Sequence, residues 1–196
     1  MEQTELVLYG ASGHAKVILD AAKESNIKVI GFFDDYVSKN VFKGVEVHPY
    51  SEELYVTPCL ISIGDNKLRE QVSRKIKHLF GRVIAKSSLV ANSVEIAHGT
   101  FVAQRAVIQT DSRVGAHVIV NTNSSVDHDC TIRDYVHIAP GATICGGVQI
   151  GEGSFIGAGA VILPNVSIGK WCIIGAGSVV TKNVSDFSTI KGNPAK

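Results

Sequence analysis

From residue 90 to residue 180 every sixth position is valine or isoleucine. The series runs Val90, Ile96, Val102, Ile108, Val114, Val120, Val126, Ile132, Ile138, Ile144, Ile150, Ile156, Ile162, Ile168, Ile174, Val180 without a break. Four residues after each comes a small or medium side chain, as at Val94, Thr100, Ala106, Ser112, Val118, Ser124 and Cys130. A period of six fits neither the 3.6 residues of an α-helix nor the two of a half-buried strand. It predicts a chain wound as a triangular prism, in which each hexad forms one flat side and three hexads form one coil. Successive coils then pair as parallel strands about 4.8 Å apart. The unbroken phase leaves no place for a long loop, and the tail from Ser185 drops the repeat.

Residues 1–85 follow a different pattern. Leu6–Tyr9 is an apolar run that ends in Gly10-Ala-Ser-Gly-His14, and Ala15–Lys23 has helical spacing at Val17, Ile18, Ala21 and Ala22. Val29–Phe33 reads as a second strand closed by Asp34-Asp35, and Leu60–Ile63 as a third closed by Gly64-Asp65-Asn66. Lys67–Phe80 reads as an amphipathic helix with Leu68, Val72, Ile76 and Leu79 inward, and Arg82–Ala85 as a last strand. This βαβ order predicts a small parallel sheet with its strand ends along one crevice. The expected architecture is therefore an α/β Rossmann-like domain over residues 1–85. A left-handed parallel β-helix of hexapeptide repeats follows over residues 86–196.

Composition narrows the partners. A formal net charge of +1 over 196 residues gives no reason to expect nucleic acid or membrane insertion. Nineteen glycines suit a prism of tight corners. Cys59, Cys130, Cys145 and Cys172 show no CxxC spacing. Cys130 and Cys172 fall in the small interior slot, so packing is their expected role, and reduced thiols point to the cytoplasm. The acidic start and short first apolar run do not read as a signal peptide.

Three stretches carry candidate chemistry. The Gly10–Gly13 turn offers backbone N–H groups and a helix start to a phosphate, but Leu8 stands where a dinucleotide fingerprint needs glycine. A nucleoside diphosphate fits better, with Asp34 or Asp35 placed to accept from ribose or base. His128, between Asp127 and Asp129, has the equipment of a general base, since either carboxylate could hold its second nitrogen. One coil on lies Gly146, whose N–H could stabilise an oxyanion; plain corner geometry accounts for a glycine there equally well. His98 and His117 read as surface residues, and His137 lies half a coil from His128 and so faces elsewhere.

Taken together, Gly10-Ala-Ser-Gly-His14, Asp34-Asp35, Ile63-Gly-Asp-Asn66, Ser125-Val-Asp-His-Asp-Cys130 and the terminal Gly-x-Pro-Ala resemble the sialic acid O-acetyltransferase group of hexapeptide-repeat sugar acetyltransferases. Within it, the sequence is most similar to the nucleotide-amino-sugar N-acetyltransferases of the UDP-N-acetylbacillosamine pathway. The resemblance spans essentially the whole chain. It implies acetyl-CoA as cosubstrate, no metal, and His128 as the base for a sugar 4-amine. Asp129 stands where the family often has glutamate, one methylene longer. It further implies that Gly10, Ser12, Gly13, His14, Asp34, Asp35 and Gly64 bind a UDP-linked sugar nucleotide, with Asn121 on the sugar. His137 from a neighbouring subunit, with backbone near Ala158 and Ala176, would contact acetyl-CoA in a homotrimer with active sites between prisms. Three other readings compete. A sialic acid O-acetyltransferase would keep the base and change the acceptor. A γ-type carbonic anhydrase needs two histidines five residues apart, and none of the prism histidines has that spacing. A binding scaffold would make the His128 corner decoration.

Overall fold

The computed structural model describes residues 4–36 and 40–196. The N-terminal unit has β1 (Glu5–Tyr9), α1 (Gly13–Glu24), β2 (Lys28–Phe33), β3 (Val41–Phe42), β4 (Val45–His48), β5 (Cys59–Ile61) and α2 (Asn66–Lys75). Its sheet runs β3-β4-β2-β1-β5, parallel except for the β3–β4 hairpin. That hairpin turns at Lys43-Gly44 and was invisible to the hydrophobic pattern because its strands are so short. The predicted helix over Lys67–Phe80 stops five residues early, at Lys75, since Ile76 is already extended. Val72 and Ile76 are buried as expected, but Leu68 (41%) and Leu79 (82%) are exposed.

The hexads form three flat faces of paired strands. One face stacks Leu89–Val90, Val107–Ile108, Ser125–Val126, Thr143–Ile144, Val161–Ile162 and Val179–Val180. A second stacks Glu95–Ile96, Arg113–Val114, Thr131–Ile132, Gln149–Ile150 and Ser167–Ile168. The third begins at Val83–Ile84, six residues before the recognised series, and continues through Phe101–Val102, Ile119–Val120, His137–Ile138, Phe155–Ile156 and Ile173–Ile174 to Thr189–Ile190. Partners in adjacent coils are eighteen residues apart, as in Ile108 with Val126 and Ile138 with Ile156. The molecule is thus a left-handed β-helix preceded by an α/β unit. Two strands depart from the expectation. Arg82–Ala85 contributes Val83–Ile84 to the prism rather than to the sheet, and the tail adds Thr189–Ile190 at a spacing of sixteen.

The hexad side chains fill the prism interior, with Val126, Ile138, Ile144, Ile156 and Ile162 fully buried and Ala106, Cys130 and Cys172 in the small slots. Burying each Val or Ile contributes about 1.5–3 kcal/mol relative to leaving it in water. The third face is covered by the N-terminal unit. Ala15, Ile18, Ala21 and Ala22 of α1 share one core with Leu6, Leu8 and Phe32 of the sheet and Val83, Phe101 and Ile119 of the prism. All four cysteines are free. Among the described residues no helix is long and apolar enough to cross a membrane.

Candidate functional site

The three strand ends converge as the βαβ order requires. Gly10 N donates to Phe33 O (2.7 Å), and Ser62 Oγ donates to both Tyr9 O (2.9 Å) and Gly10 O (2.6 Å). Gly10 sits at φ +110, and a Cβ there would stand 3.0 Å from Ile63, so only glycine fits the turn. α1 then opens with Ser12 as N-cap, whose hydroxyl caps no N–H, and with no acid in its first turn. Its N-terminal N–H groups and dipole are left for an anion. His14 lies behind them, 5.6 Å from the Phe101 ring and 6.2 Å from the His137 ring. Its Nε2 is buried without a partner among the described residues. Burial, then the Arg69 charge, pushes its pKa down to about 4, so the ring is neutral at pH 7.

Both acids at the end of β2 are committed within the chain. Asp34 accepts from Ala11 N (2.8 Å) and Tyr36 N (3.0 Å), which locks the glycine turn to β2. Asp35 accepts from Tyr9 Oη (2.6 Å) and Tyr50 N (2.8 Å) and pairs with Lys75. Burial opposes its ionisation, but Lys75, the Tyr50 N–H and Tyr9 outweigh it and hold the pKa at about 2. Both Asp34 oxygens and Asp35 Oδ1 each keep a further lone pair, whereas Asp35 Oδ2 is filled by Tyr9 and Lys75, so a ribose or base would share these acids with the protein.

On the covered face of the prism, His137 is 8% exposed. Its Nδ1 is 3.1 Å from Gly64 O, and its Nε2 is 3.1 Å from Asn121 Nδ2. A carbonyl only accepts, so Nδ1 carries the proton and Nε2 accepts from the amide. Burial, then the Arg69 charge, lowers this pKa to about 4 as well. Ala158 and Ala176 are exposed on the prism edge that bears Asn121, one coil apart, with Gly177 N donating to Ala158 O (2.8 Å). Gly10, Ser12, Gly13, His14, Asp34, Asp35, Gly64, Asn121, His137, Ala158 and Ala176 therefore line one side of the molecule.

The other group stands apart. His128 Nδ1 lies 2.7 Å from Asp129 Oδ2, while Asp127 Oδ1 accepts from the His128 backbone N–H (2.9 Å). Asp129, not Asp127, therefore holds the ring. Its φ of +59 lies in the left-handed region, which Asp tolerates better than most residues. The imidazole is exposed, and the Asp129 hydrogen bond, then the Asp127 charge, raises its pKa. The eighteen-residue coil brings Gly147 N to His128 O (2.9 Å) and sets Gly146 beside the ring. A Cβ on Gly146 would stand 2.7 Å from His128 Nε2. Among the described residues no group accepts from the Gly146 N–H. His128, Asp129 and Gly146 occupy the edge between the two uncovered faces, so within one chain they do not meet His14, Gly64 or His137.

Residues 5–76 match the PglD N-terminal domain, and residues 147–182 match the bacterial transferase hexapeptide (six repeats). A GDP-perosamine N-acetyltransferase from Escherichia coli is 35% identical over 130 residues, which cover 61% of this chain and 57% of that protein. The chain thus spans little more than half the length of that curated relative, and 23% of an uncharacterised mimivirus protein that it also matches. A perosamine N-acetyltransferase from Caulobacter crescentus, solved as a mutant with CoA and GDP-perosamine, is 32% identical with a TM-score of 0.94 over 98% of this chain and 95% of that one. The acetyltransferase domain of PglB from Neisseria gonorrhoeae is 32% identical, with a TM-score of 0.91 and 99% of each chain covered. The chain belongs to the nucleotide-amino-sugar N-acetyltransferase family.

In this member of the family, patterning overlooked the residues that join the two halves. Asp65 Oδ1 caps α2 at Leu68 N (2.7 Å), which aims Asn66 and Arg69 at the prism. Asn66 Nδ2 donates to Gly153 O (3.0 Å) and Ser154 O (3.2 Å), and Arg69 donates to carbonyls on both sides of the junction. These contacts turn the helix so that Leu68 faces water, the reverse of its apolar spacing. His117, expected on the surface, is 3% exposed and stacked 5.2 Å from Tyr135 under α2. The corner it shares with Tyr135 is where the helix docks. His98 is exposed as expected, stacked on Phe80. The one local mark of this docking is Asp65, a residue type suited to a helix N-cap; a buried arginine leaves no mark in a hydrophobic pattern. Among the described residues no three His, Cys, Asp or Glu side chains are grouped to hold a metal ion.

Proposed function

We propose that the chain transfers the acetyl group of acetyl-CoA to the amino group of a nucleoside-diphosphate-linked amino sugar, with His128 as general base. The observation that carries this reading is the His128–Asp129 pair with Nε2 bared toward Gly146, in a chain alike over its whole length to solved sugar N-acetyltransferases. The amine nitrogen attacks the thioester carbonyl, and Nε2 takes the proton it loses. The Gly146 N–H donates to the oxyanion of the tetrahedral intermediate. Collapse breaks the C–S bond, and the imidazolium returns its proton to the departing thiolate. Asp129 fixes the Nδ1–H tautomer throughout and stabilises the imidazolium.

The nucleotide is read as lying across the Gly10–His14 turn, with its diphosphate at the start of α1 and its sugar toward Asn121. Acetyl-CoA is read as lying along the edge with His137, Ala158 and Ala176. His128 then comes from a second copy. The assembly proposed is a homotrimer around a three-fold axis, which keeps equal heights along the prisms and closes on itself. It also covers parallel sheet that is otherwise bare. The place of action proposed is the cytoplasm, where acetyl-CoA and reduced thiols coexist.

The test incubates the protein with acetyl-CoA and, in separate arms, a UDP-linked 4-amino sugar, GDP-perosamine and sialic acid, following thiol release and product mass. An N-acetylated sugar nucleotide is expected. His128→Ala should lower kcat by about 10²-fold or more while KM for the sugar nucleotide changes little. Turnover of sialic acid alone, or a His128→Ala protein with wild-type kcat, overturns the reading.

A further inference from the structure

Arg69 is fully buried on α2, between the nucleotide crevice and the prism. Its Nε donates to His117 O (2.8 Å), and its Nη1 donates to Ile63 O (3.0 Å) and Gly64 O (3.1 Å). Its Nη2 donates to Asn66 Oδ1 (2.9 Å) and Tyr135 O (2.8 Å). These five bonds match the five N–H donors of a guanidinium, and none of the acceptors is a carboxylate. A buried cation satisfied only by neutral oxygens is costly, and simple helix docking does not require one. The acceptors explain it. His117 and Tyr135 are adjacent coils of one prism corner, whereas Ile63 and Gly64 form the floor of the crevice. One rigid plane therefore spans both, which a lysine's single point of charge cannot do. The Gly64 carbonyl that receives Nη1 also faces His137 Nδ1 (3.1 Å), and His137 in turn meets Asn121.

We propose that Arg69 is a positioning residue for the transfer reaction: it fixes the Gly64 carbonyl against the prism and so holds the His137 ring, whose Nε2 in turn holds Asn121 in one orientation toward the acceptor sugar. This rests on the proposed function for its kinetic consequence but not for its structural one. Arg69→Lys keeps the charge and loses the fork. It is expected to raise KM for the sugar nucleotide at least tenfold with kcat within threefold. Asn66→Ala, which removes one of the guanidinium's five acceptors, should shift KM in the same direction by less. Ser73→Ala deletes another docking contact, to Tyr135 Oη (2.9 Å), without touching Gly64, and should leave KM unchanged. A purely structural Arg69 would reduce the folded fraction, hence the maximal rate, at constant KM.

The second readout needs no substrate. In ¹⁵N-histidine spectra the wild-type His137 should appear as a single Nδ1–H tautomer and the Arg69→Lys His137 as a mixture. If no sugar nucleotide is turned over by the wild type, the functional reading fails while this arm still tests Arg69. An unshifted KM in folded Arg69→Lys protein, an equal shift in Ser73→Ala, or an unchanged His137 tautomer overturns the proposal.

Discussion

At the scale of single residues, His128 is set up by its neighbours rather than by burial. Asp129 accepts from one ring nitrogen, and Gly146 leaves the other uncovered. Because the raised pKa keeps the ring protonated to higher pH, the acid limb of kcat/KM should lie above 6.5, the ordinary histidine value. Asp129→Asn removes the largest cause of that shift, so the limb should move to lower pH. The plateau kcat should fall by about tenfold as the tautomer is freed. A pH–rate profile of the two proteins checks this, and a limb that stays in place would mean that another group titrates. The exposed place of His128 beside Gly146 was legible in the sequence for a physical reason: the hexad phase fixes which side chains leave the prism, and the coil length fixes what stands beside them. Asp34 and Asp35 were legible as the end of β2 but not as anchors, because their partners Ala11, Tyr50 and Lys75 come from other elements.

At the scale of elements, the hexads report their own structure because, from Val83 to Val180, every strand partner lies eighteen residues away in sequence. α2 shows where that transparency ends. Its apolar spacing pointed Leu68 and Leu79 inward, yet contacts across the junction turned the helix toward Asn66 and Arg69. Such contacts join residues about fifty to ninety positions apart, beyond any local pattern. The junction also encloses His14, His117 and His137, each held neutral chiefly by burial, with a pKa of about 4. The unfolded chain takes up these protons near pH 6.5, before the folded one does. Stability is therefore intact above pH 6.5 and is lost as pH falls from there toward 4, by on the order of 3 kcal/mol per histidine. Trp171, the chain's one tryptophan, has Lys67 of α2 4.5 Å from its ring and so reports this junction. Urea midpoints followed by its fluorescence should drop between pH 7.5 and pH 5. Equal midpoints would show that these imidazoles are charged in the folded state.

At the scale of the whole molecule, the two sets of site residues occupy different parts of the prism. The crevice at the Gly10–His14 turn covers one face with His137 and Asn121, and His128 with Gly146 stands on the edge opposite. Both sets lie in the same few coils, so in the proposed trimer one copy's His128 would meet the next copy's crevice. Mixed assembly tests this most directly. Gly13→Asp puts a carboxylate where a diphosphate should bind, and a side chain there meets nothing within 4 Å, so the fold should hold. His128→Ala removes the base and leaves the crevice. Each variant alone should be inactive, but the two refolded together at equal amounts should recover about a quarter of wild-type activity, the share of neighbouring pairs that join an intact crevice to an intact His128. A mixture as inactive as its components would contradict the account, because it would place base and acceptor in the same chain.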